Sequence, residues 1–234
     1  EIARKHPGEG LTSLNKYLTA DLLRESHRKL RKKAATGVDG RTVDEYGEGL
    51  EGRLTGLIEE IKAGRYRALP VRRGYIPKPG KDENRPLGIP AVEDKTVQKA
   101  VTTILDPIYE QEFYPFSYGF RRGRGALDAT RELHGTMRKG WARWIVEVDI
   151  RKFFDTLSHS HLRGFLRKRV RDGVIIRLID KWVKAGVLEA GEWQATDEGT
   201  PQRGIVSPLL ANIYLQEVLD KRYDEEIRER LKRR

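Results

Sequence analysis

The sequence predicts an α+β fold, with helices packed on a small antiparallel sheet. Three observations carry this reading. Apolar residues recur at helical spacing through several segments, with Val97, Val101, Ile104 and Ile108 the clearest set. Two stretches, about 69–90 and 187–196, place short apolar runs on either side of turn residues, as β-hairpins do. Between them, residues 144–150 (WIVEVDI) read as a strand. Trp144, Val146, Val148 and Ile150 alternate there with Ile145, Glu147 and Asp149, so one face is apolar and the other turns acidic towards its end.

In chain order, ADLLRESHRKLRKKAA (20–35) predicts a helix with Leu22, Leu23 and Leu30 on its apolar side and a basic run from His27 to Lys33. After a turn at Gly37 to Gly40, Thr42 and Glu45 have the spacing of a capping box, and Gly64 is placed to stop the helix they start. LPVRRGYIPKPGKDENRPLGIP (69–90) predicts a hairpin with a long basic loop, because its prolines and its PGKDEN turn exclude a helix. The helix that follows carries Pro107, which predicts a kink or an end there. Further helices are predicted at 126–140, 159–170 and 174–184, then a hairpin in VLEAGEWQAT. A last helix has Pro208 in its first turn and Leu210, Ile213 and Val218 along one stripe.

Composition bounds the function. The 234 residues suffice for a substantial core, with 38% hydrophobic and 35% charged residues. A formal charge of +11 and a pI near 9.8 favour a polyanionic partner, nucleic acid before an anionic membrane. No stretch has the length of an apolar membrane span or the form of a signal peptide, so no membrane partner is expected. There is no cysteine, which excludes disulfides and thiolate metal sites and fits a reducing, cytoplasmic compartment. The chain runs from Glu1 to Arg234, inside a charged helical stretch, and reads as a piece of a longer protein.

Three places could carry chemistry. Asp149, ending its strand against a basic cleft, suits Mg²⁺, which prefers carboxylate oxygen beside waters and substrate phosphates; an aspartate capping the following turn is the other reading. EGTPQRGIVSPLLANIYL (198–215) is a tight glycine-rich loop running into a helix. Its backbone and Gln202 could approach a flat ligand, or it could be an ordinary turn. In the basic hairpin, Lys78 precedes the turn and Arg85 follows it. Pairing would bring a lysine charge and an arginine fork together as a triphosphate clamp, or leave a charged turn that protects a sheet edge.

The order and wording of four blocks are more specific than any one of them. RPLGIPAVEDKTVQKAV, YGFRRGRGALDA, VEVDIRKFFDTLSH and GTPQRGIVSPLLANIYL resemble successive blocks of bacterial group II intron-encoded reverse transcriptases. TGVDGRTVDEY and GRYRALPVRRGYIPKPG resemble the blocks that precede them, and the likeness runs from about Leu22 to Leu219. The resemblance implies a right-hand polymerase, with fingers over 1–140 and part of the palm over 141–234. It implies that Asp149 is the first catalytic aspartate and binds two Mg²⁺ ions, with the Ile150 carbonyl as a further ligand. Phe154 would lie under the sugar and exclude a ribose 2′-OH. Lys78 and Arg85 would grip the incoming deoxynucleoside triphosphate, and Gln202 would lie against nucleotide and template. Arg28, Lys29, Arg31, Lys32 and Lys33, with Arg121, Arg122 and Arg124, would follow the RNA backbone without reading sequence. The partners implied are an RNA template, the intron RNA, a DNA primer and deoxynucleoside triphosphates.

Two departures qualify the likeness. Arg203 follows Gln202 where the family usually has glycine and another small residue. The Tyr-x-Asp-Asp block, which supplies the remaining metal-binding carboxylates, does not occur before Arg234. The two-metal site is therefore expected to be incomplete and this chain alone inactive. A chain without those parts would expose apolar surface and so self-associate, for example as a homodimer. Three rival readings are an RNA-binding splicing factor with a weakened polymerase site, a retron, diversity-generating or CRISPR-linked reverse transcriptase, and a helix-turn-helix DNA-binding domain around residues 161–183. The last leaves all four blocks unexplained.

Overall fold

The computed structural model describes residues 2–77, 80, 82–140, 144–196, 198–200, 204–228 and 230. Helix α1 (Ile2–Lys5) and a 3₁₀ turn at Leu14–Tyr17 precede α2 (Ala20–Arg28). Thr19 caps α2 by accepting the Leu22 N–H at 3.2 Å. The helix expected to reach residue 35 ends at Arg28. Beyond Leu30 come Arg31, Lys32 and Lys33, all exposed. Arg28, Arg31 and Lys32 would stand three and four residues apart, a spacing at which like charges repel along a helix.

The next helix is split in two. α3 (Val43–Gly47) starts on the capping box: Thr42 Oγ1 accepts the Glu45 N–H at 3.2 Å, and Glu45 accepts the Thr42 N–H at 2.8 Å. Gly49, at φ +70°, turns the chain into α4 (Leu50–Lys62). Strands β1 (Val71–Pro77) and β2 (Asn84–Ile89) pair as a hairpin, with Ile76 opposite Arg85. α5 (Val92–Tyr109) is buried along most of its length and runs through Pro107 to its end. Pro107 has no N–H to donate to the Thr103 carbonyl, and the helix continues only two residues past it, to Tyr109. α6 (Ala126–Arg138) buries none of its residues. α7 (His159–Arg169) and α8 (Gly173–Val183) are capped by Ser158 and Asp172. Strands β3 (Val187–Glu189) and β4 (Glu192–Gln194) follow. α9 (Ser207–Leu215), with Pro208 in its first turn, continues in wider turns over Gln216–Asp220 and Tyr223–Arg228.

The sheet has four strands in the order β2-β1-β3-β4 and is mixed rather than antiparallel throughout. The two hairpins meet through β1 and β3, which run parallel with Val71 opposite Val187. Parallel pairing needs a long crossover connection, and the helices between the hairpins supply it. A single core collects side chains from Ala3 to Ile213 and is centred on α2, α4, α5, α7, α8 and α9.

The largest correction concerns residues 144–150. The segment belongs to no strand, and every residue in it is exposed, with Trp144, Val146 and Val148 all at least 80% open to solvent. Alternation gives a segment two faces, but a strand exists only where a neighbour takes its N–H and C=O groups. Among the described residues the segment pairs with neither edge strand of the sheet, β2 or β4, nor with any other strand.

Candidate active site

The structure brings together the two stretches that carry the reading of this chain. Residues 153–157 follow Lys152, which sits at φ +52° and turns the backbone into the 3₁₀ turn Phe153–Asp155. Against this turn lies the start of the glycine-rich loop. Gly199 N–H donates to the Leu157 carbonyl and Thr200 N–H to the Phe154 carbonyl, both at 2.7 Å. Gly199 has φ +85°, and a Cβ there would stand 2.7 Å from the Phe154 oxygen and 2.8 Å from the Asp155 oxygen. Glycine is required on both counts.

Three further groups fix the loop. Buried His159 donates from Nε2 to the Gly199 carbonyl at 2.5 Å; a carbonyl only accepts, so the proton is on Nε2. Thr200 and Ser207 share a buried hydroxyl hydrogen bond at 2.9 Å across the loop. Gln98, on α5, accepts the Ile205 N–H at 2.9 Å. The loop is thus tied at both ends, to the 153–157 turn and to α5 and α9. Sequence reasoning assigned no role to His159, Gln98, Thr200 or Gly199. The available signal was a histidine one place past the Ser158 cap, which places it where a helix enters the site.

An aromatic cluster backs the turn. Phe153 and Phe154 meet edge to face at 5.5 Å between centroids, and Tyr214 of α9 packs against both Phe153 (6.2 Å) and Phe165 (5.3 Å). Phe154 is half-buried. Asp149 and Ile150 precede the turn in the exposed segment 144–150. Arg85 is exposed on β2. Lys78, Gln202 and Arg203 lie outside the described residues.

The base of the hairpin is anchored from below. Asp94 of α5 accepts the Leu69 N–H at 3.2 Å and the Tyr66 hydroxyl, which in turn accepts Trp182 Nε1–H at 3.2 Å. Burial pushes the Asp94 carboxyl up to about 7 against these donors. Arg72 donates to the Thr36 carbonyl at 2.9 and 2.7 Å, and Lys95 to the Ala35 carbonyl at 2.6 Å, tying the chain beyond the basic run to β1 and α5.

The basic residues divide. Arg28, Arg31 and Lys33 are exposed, and Lys29 and Lys32 are exposed but pair with Glu25 (2.5 Å) and Asp44 (3.4 Å). Arg122 is exposed, 3.9 Å from Asp106. Arg124 lies over the Tyr118 ring and donates to the Pro115 carbonyl. Arg121 is a correction. It is buried, with its guanidinium on Glu110 at 2.6 Å and on the Tyr114 and Ser117 carbonyls at 2.7 Å. All three of its nitrogens are engaged inside the fold and none faces a phosphate. Among the described residues, no group of three or more His, Asp or Glu side chains could hold a metal ion. Asp149 has the donor chemistry Mg²⁺ prefers, but it is one ligand and not a site.

Residues 76–228 match the family described as reverse transcriptase (RNA-dependent DNA polymerase). The chain belongs to the reverse transcriptase family. The group II intron-encoded protein LtrA of Lactococcus lactis is 38% identical over 231 residues, which span 95% of this chain and 38% of that protein. Protein YkfC of Escherichia coli is 39% identical over 200 residues, spanning 83% of this chain and 50% of its own. The chain thus spans half or less of the length of these relatives. Among solved structures, a chain of a partial Cas6-RT-Cas1–Cas2 complex superposes with a TM-score of 0.55 at 22% identity, covering 90% of this chain and 35% of that chain. That likeness concerns the fold. No helix among the described residues is long and apolar enough to cross a membrane.

Proposed function

We propose that this chain is the fingers (1–140) and the beginning of the palm (141–234) of a group II intron RNA-directed DNA polymerase, which copies RNA into DNA and assists its intron's splicing. The observation that carries the reading is the joint between the 153–157 turn and the Gly199–Thr200 loop entrance. Its Phe154 carbonyl accepts the Thr200 N–H, two residues before Gln202 in sequence, and Phe154 follows Asp149 by five residues in a chain of the reverse transcriptase family.

In this reading Phe154 bounds the sugar of an incoming deoxynucleotide and Gln202 meets its base. Arg85 and Lys78 hold its triphosphate, a lysine charge beside an arginine fork. Asp149, with the Ile150 carbonyl, contributes to holding magnesium, which in polymerases stabilises the attacking and leaving oxygens. The RNA template is followed by Arg28, Arg31, Lys33 and Arg122, whose charges face solvent. The splicing role and the bacterial cytoplasm come from the kinship with the intron-encoded relatives.

One carboxylate does not make a two-metal site, so the 234-residue chain is expected not to polymerise. The test is Mg²⁺-dependent deoxynucleotide addition to a DNA primer on an RNA template. A chain extended to the length of its relatives is compared with its Asp149→Ala variant and with these 234 residues. Activity in the extended chain alone supports the reading. Full activity in Asp149→Ala would remove Asp149 from the site. An inactive extended chain that still binds RNA tightly would favour the splicing factor.

A further inference from the structure

A cleft of about 850 Å³ opens between the α4–β1 connection and the end of α8, lined by Arg65, Arg67, Lys181 and Lys184 with Glu60 and Asp180. We propose that this cleft is a second nucleic-acid site, which takes single-stranded RNA by its phosphodiester backbone. The proposal rests on the nucleic-acid reading of this chain but concerns a surface outside the nucleotide site.

Local geometry gathers the cations. Arg65 and Arg67 both line the cleft from the irregular connection that follows α4, where the Arg65 and Tyr66 N–H groups donate to the Glu60 carbonyl at 2.8 and 3.1 Å. Lys181 and Lys184 are three apart at the end of α8 and share a face. Lys181 forms the floor and is fixed there, its ammonium donating to the Gly64 carbonyl at 2.6 Å and to the Tyr66 carbonyl. Tyr66 is itself locked to Asp94 and Trp182, so this floor is rigid.

The cleft sets the cations Arg65, Arg67, Lys181 and Lys184 against the acids Glu60 and Asp180 and so keeps an excess of positive charge on a concave wall. Elsewhere the molecule pairs many of its cations: Arg24 with Glu51, Arg121 with Glu110, Arg169 with Glu112, Lys168 and Lys221 with Glu217. The side chains of Arg65, Arg67 and Lys184 are exposed and make no hydrogen bond or ion pair among the described residues. Asp180, the one acid beside Lys181 in sequence, is taken by Arg163 at 2.9 Å. Like charges collected on a concave wall are relieved by a ligand that carries regularly spaced negative charge, as a nucleic-acid strand does.

The position separates this cleft from the nucleotide site. It lies at the Val71 end of β1, where Val71 N–H meets the Gly186 carbonyl at 3.0 Å. Arg85 is near the opposite, turn end of the same hairpin. A seven-residue strand at about 3.3 Å per residue puts about 20 Å between them. A strand in the cleft would therefore be held apart from the reacting end.

The probe is a fluorescein-labelled oligouridylate, followed by anisotropy across a salt series on the 234-residue chain, with oligothymidylate as a parallel arm. The variant Arg65→Glu/Arg67→Glu/Lys184→Glu is compared with Arg4→Glu/Lys16→Glu/Arg138→Glu, which makes the same charge change at exposed positions elsewhere. The expected result is a loss on the order of tenfold in affinity for the first variant only, with a salt slope shallower by about 2, roughly 0.7 per lost contact to a single strand. The triple Arg65→Ala/Arg67→Ala/Lys184→Ala should repeat that slope change, and circular dichroism should show all variants folded. Equal losses in both charge-reversal sets, or an unchanged slope in the cleft variant, would overturn the site. Preference for oligothymidylate over oligouridylate would overturn the assignment to RNA. A wild-type chain that binds neither oligonucleotide would instead count against the nucleic-acid reading itself.

Discussion

Helices α5 and α6 are both amphipathic by sequence, yet α5 is buried along most of its length and α6 buries nothing. The same contrast separates β1, whose Val71 is buried in the sheet, from residues 144–150, where the apolar side chains stand in solvent. Hydrophobic spacing thus states what an element can bury. Burial itself requires an opposing surface, and α2, α4, α7, α8 and α9 provide one for each other and for α5. Residues 126–150 have no such surface among the described residues. The substitutions that follow probe this contrast, from the largest expected effect on stability to the smallest.

Leu166→Ala on α7 should cost about 2–5 kcal/mol, because Leu166 is 1% exposed and its removal leaves a cavity among close-packed neighbours. Leu133→Ala on α6 should stay within about 0.5 kcal/mol of wild type. Urea denaturation of the two variants measures both. Comparable losses would mean that α6 is covered in solution and would break the contrast.

Gly199→Ala tests the joint at the candidate site and should cost about 1–3 kcal/mol. A side chain at φ +85° is strained, and its Cβ would meet two carbonyl oxygens below 3 Å. The loop would have to move off the 153–157 turn, so deoxynucleotide affinity should fall in the extended chain as well. Unchanged affinity in a destabilised variant would limit Gly199 to the fold.

These positions show how far the sequence could be read. The capping box at Thr42, the apolar face of α5 and both hairpins were legible because they depend on residues within one helical turn or one strand pair. The parallel union of β1 with β3 was not, since Val71 and Val187 share no local signal. Arg121 looked like one cation in a basic run, and only the fold shows Glu110 and two carbonyls closing around it. The family resemblance implied roles for Phe154 and for Gln202, but not the joint that the backbone of Phe154 makes with Gly199 and Thr200. Of the groups that hold it, His159 is marked in the sequence only by its place after the Ser158 cap, and Gln98 comes from a helix whose sequence carries no trace of that contact.

Stability should also depend on pH through the packed half of the molecule. Asp94 is pushed from its usual 3.8 up to about 7 by burial, with Glu93 and Asp39 adding in the same direction against the Tyr66 and Leu69 donors. The folded state then holds a proton that the unfolded chain has lost. The stability this group contributes is complete below about pH 4 and falls as pH rises to 7, by at most about 1.4 kcal/mol per pH unit. Asp94→Asn should flatten that slope in urea midpoints taken across the window. A slope unchanged by the substitution would place the titrating group elsewhere.

The smallest predicted effect is the sharpest for residues 144–150. Val146→Ser and Val148→Ser together replace two β-branched residues that would cost several kcal/mol in a buried strand, at about 1.5–3 kcal/mol for each full burial. Here both side chains are at least 80% exposed, so the double variant should match wild type within about 0.5 kcal/mol in the 234-residue chain. In a chain extended to the length of its relatives, a proposed polymerase palm would give the segment a partner, and the same pair should then destabilise by several kcal/mol. The difference between the two chains measures the burial that this stretch acquires from a partner, since its own sequence and local backbone are the same in both. An equal, near-zero effect in both chains would mean that the segment stays in solvent even in the longer protein, and Asp149 would lose the rigid support that its proposed role requires.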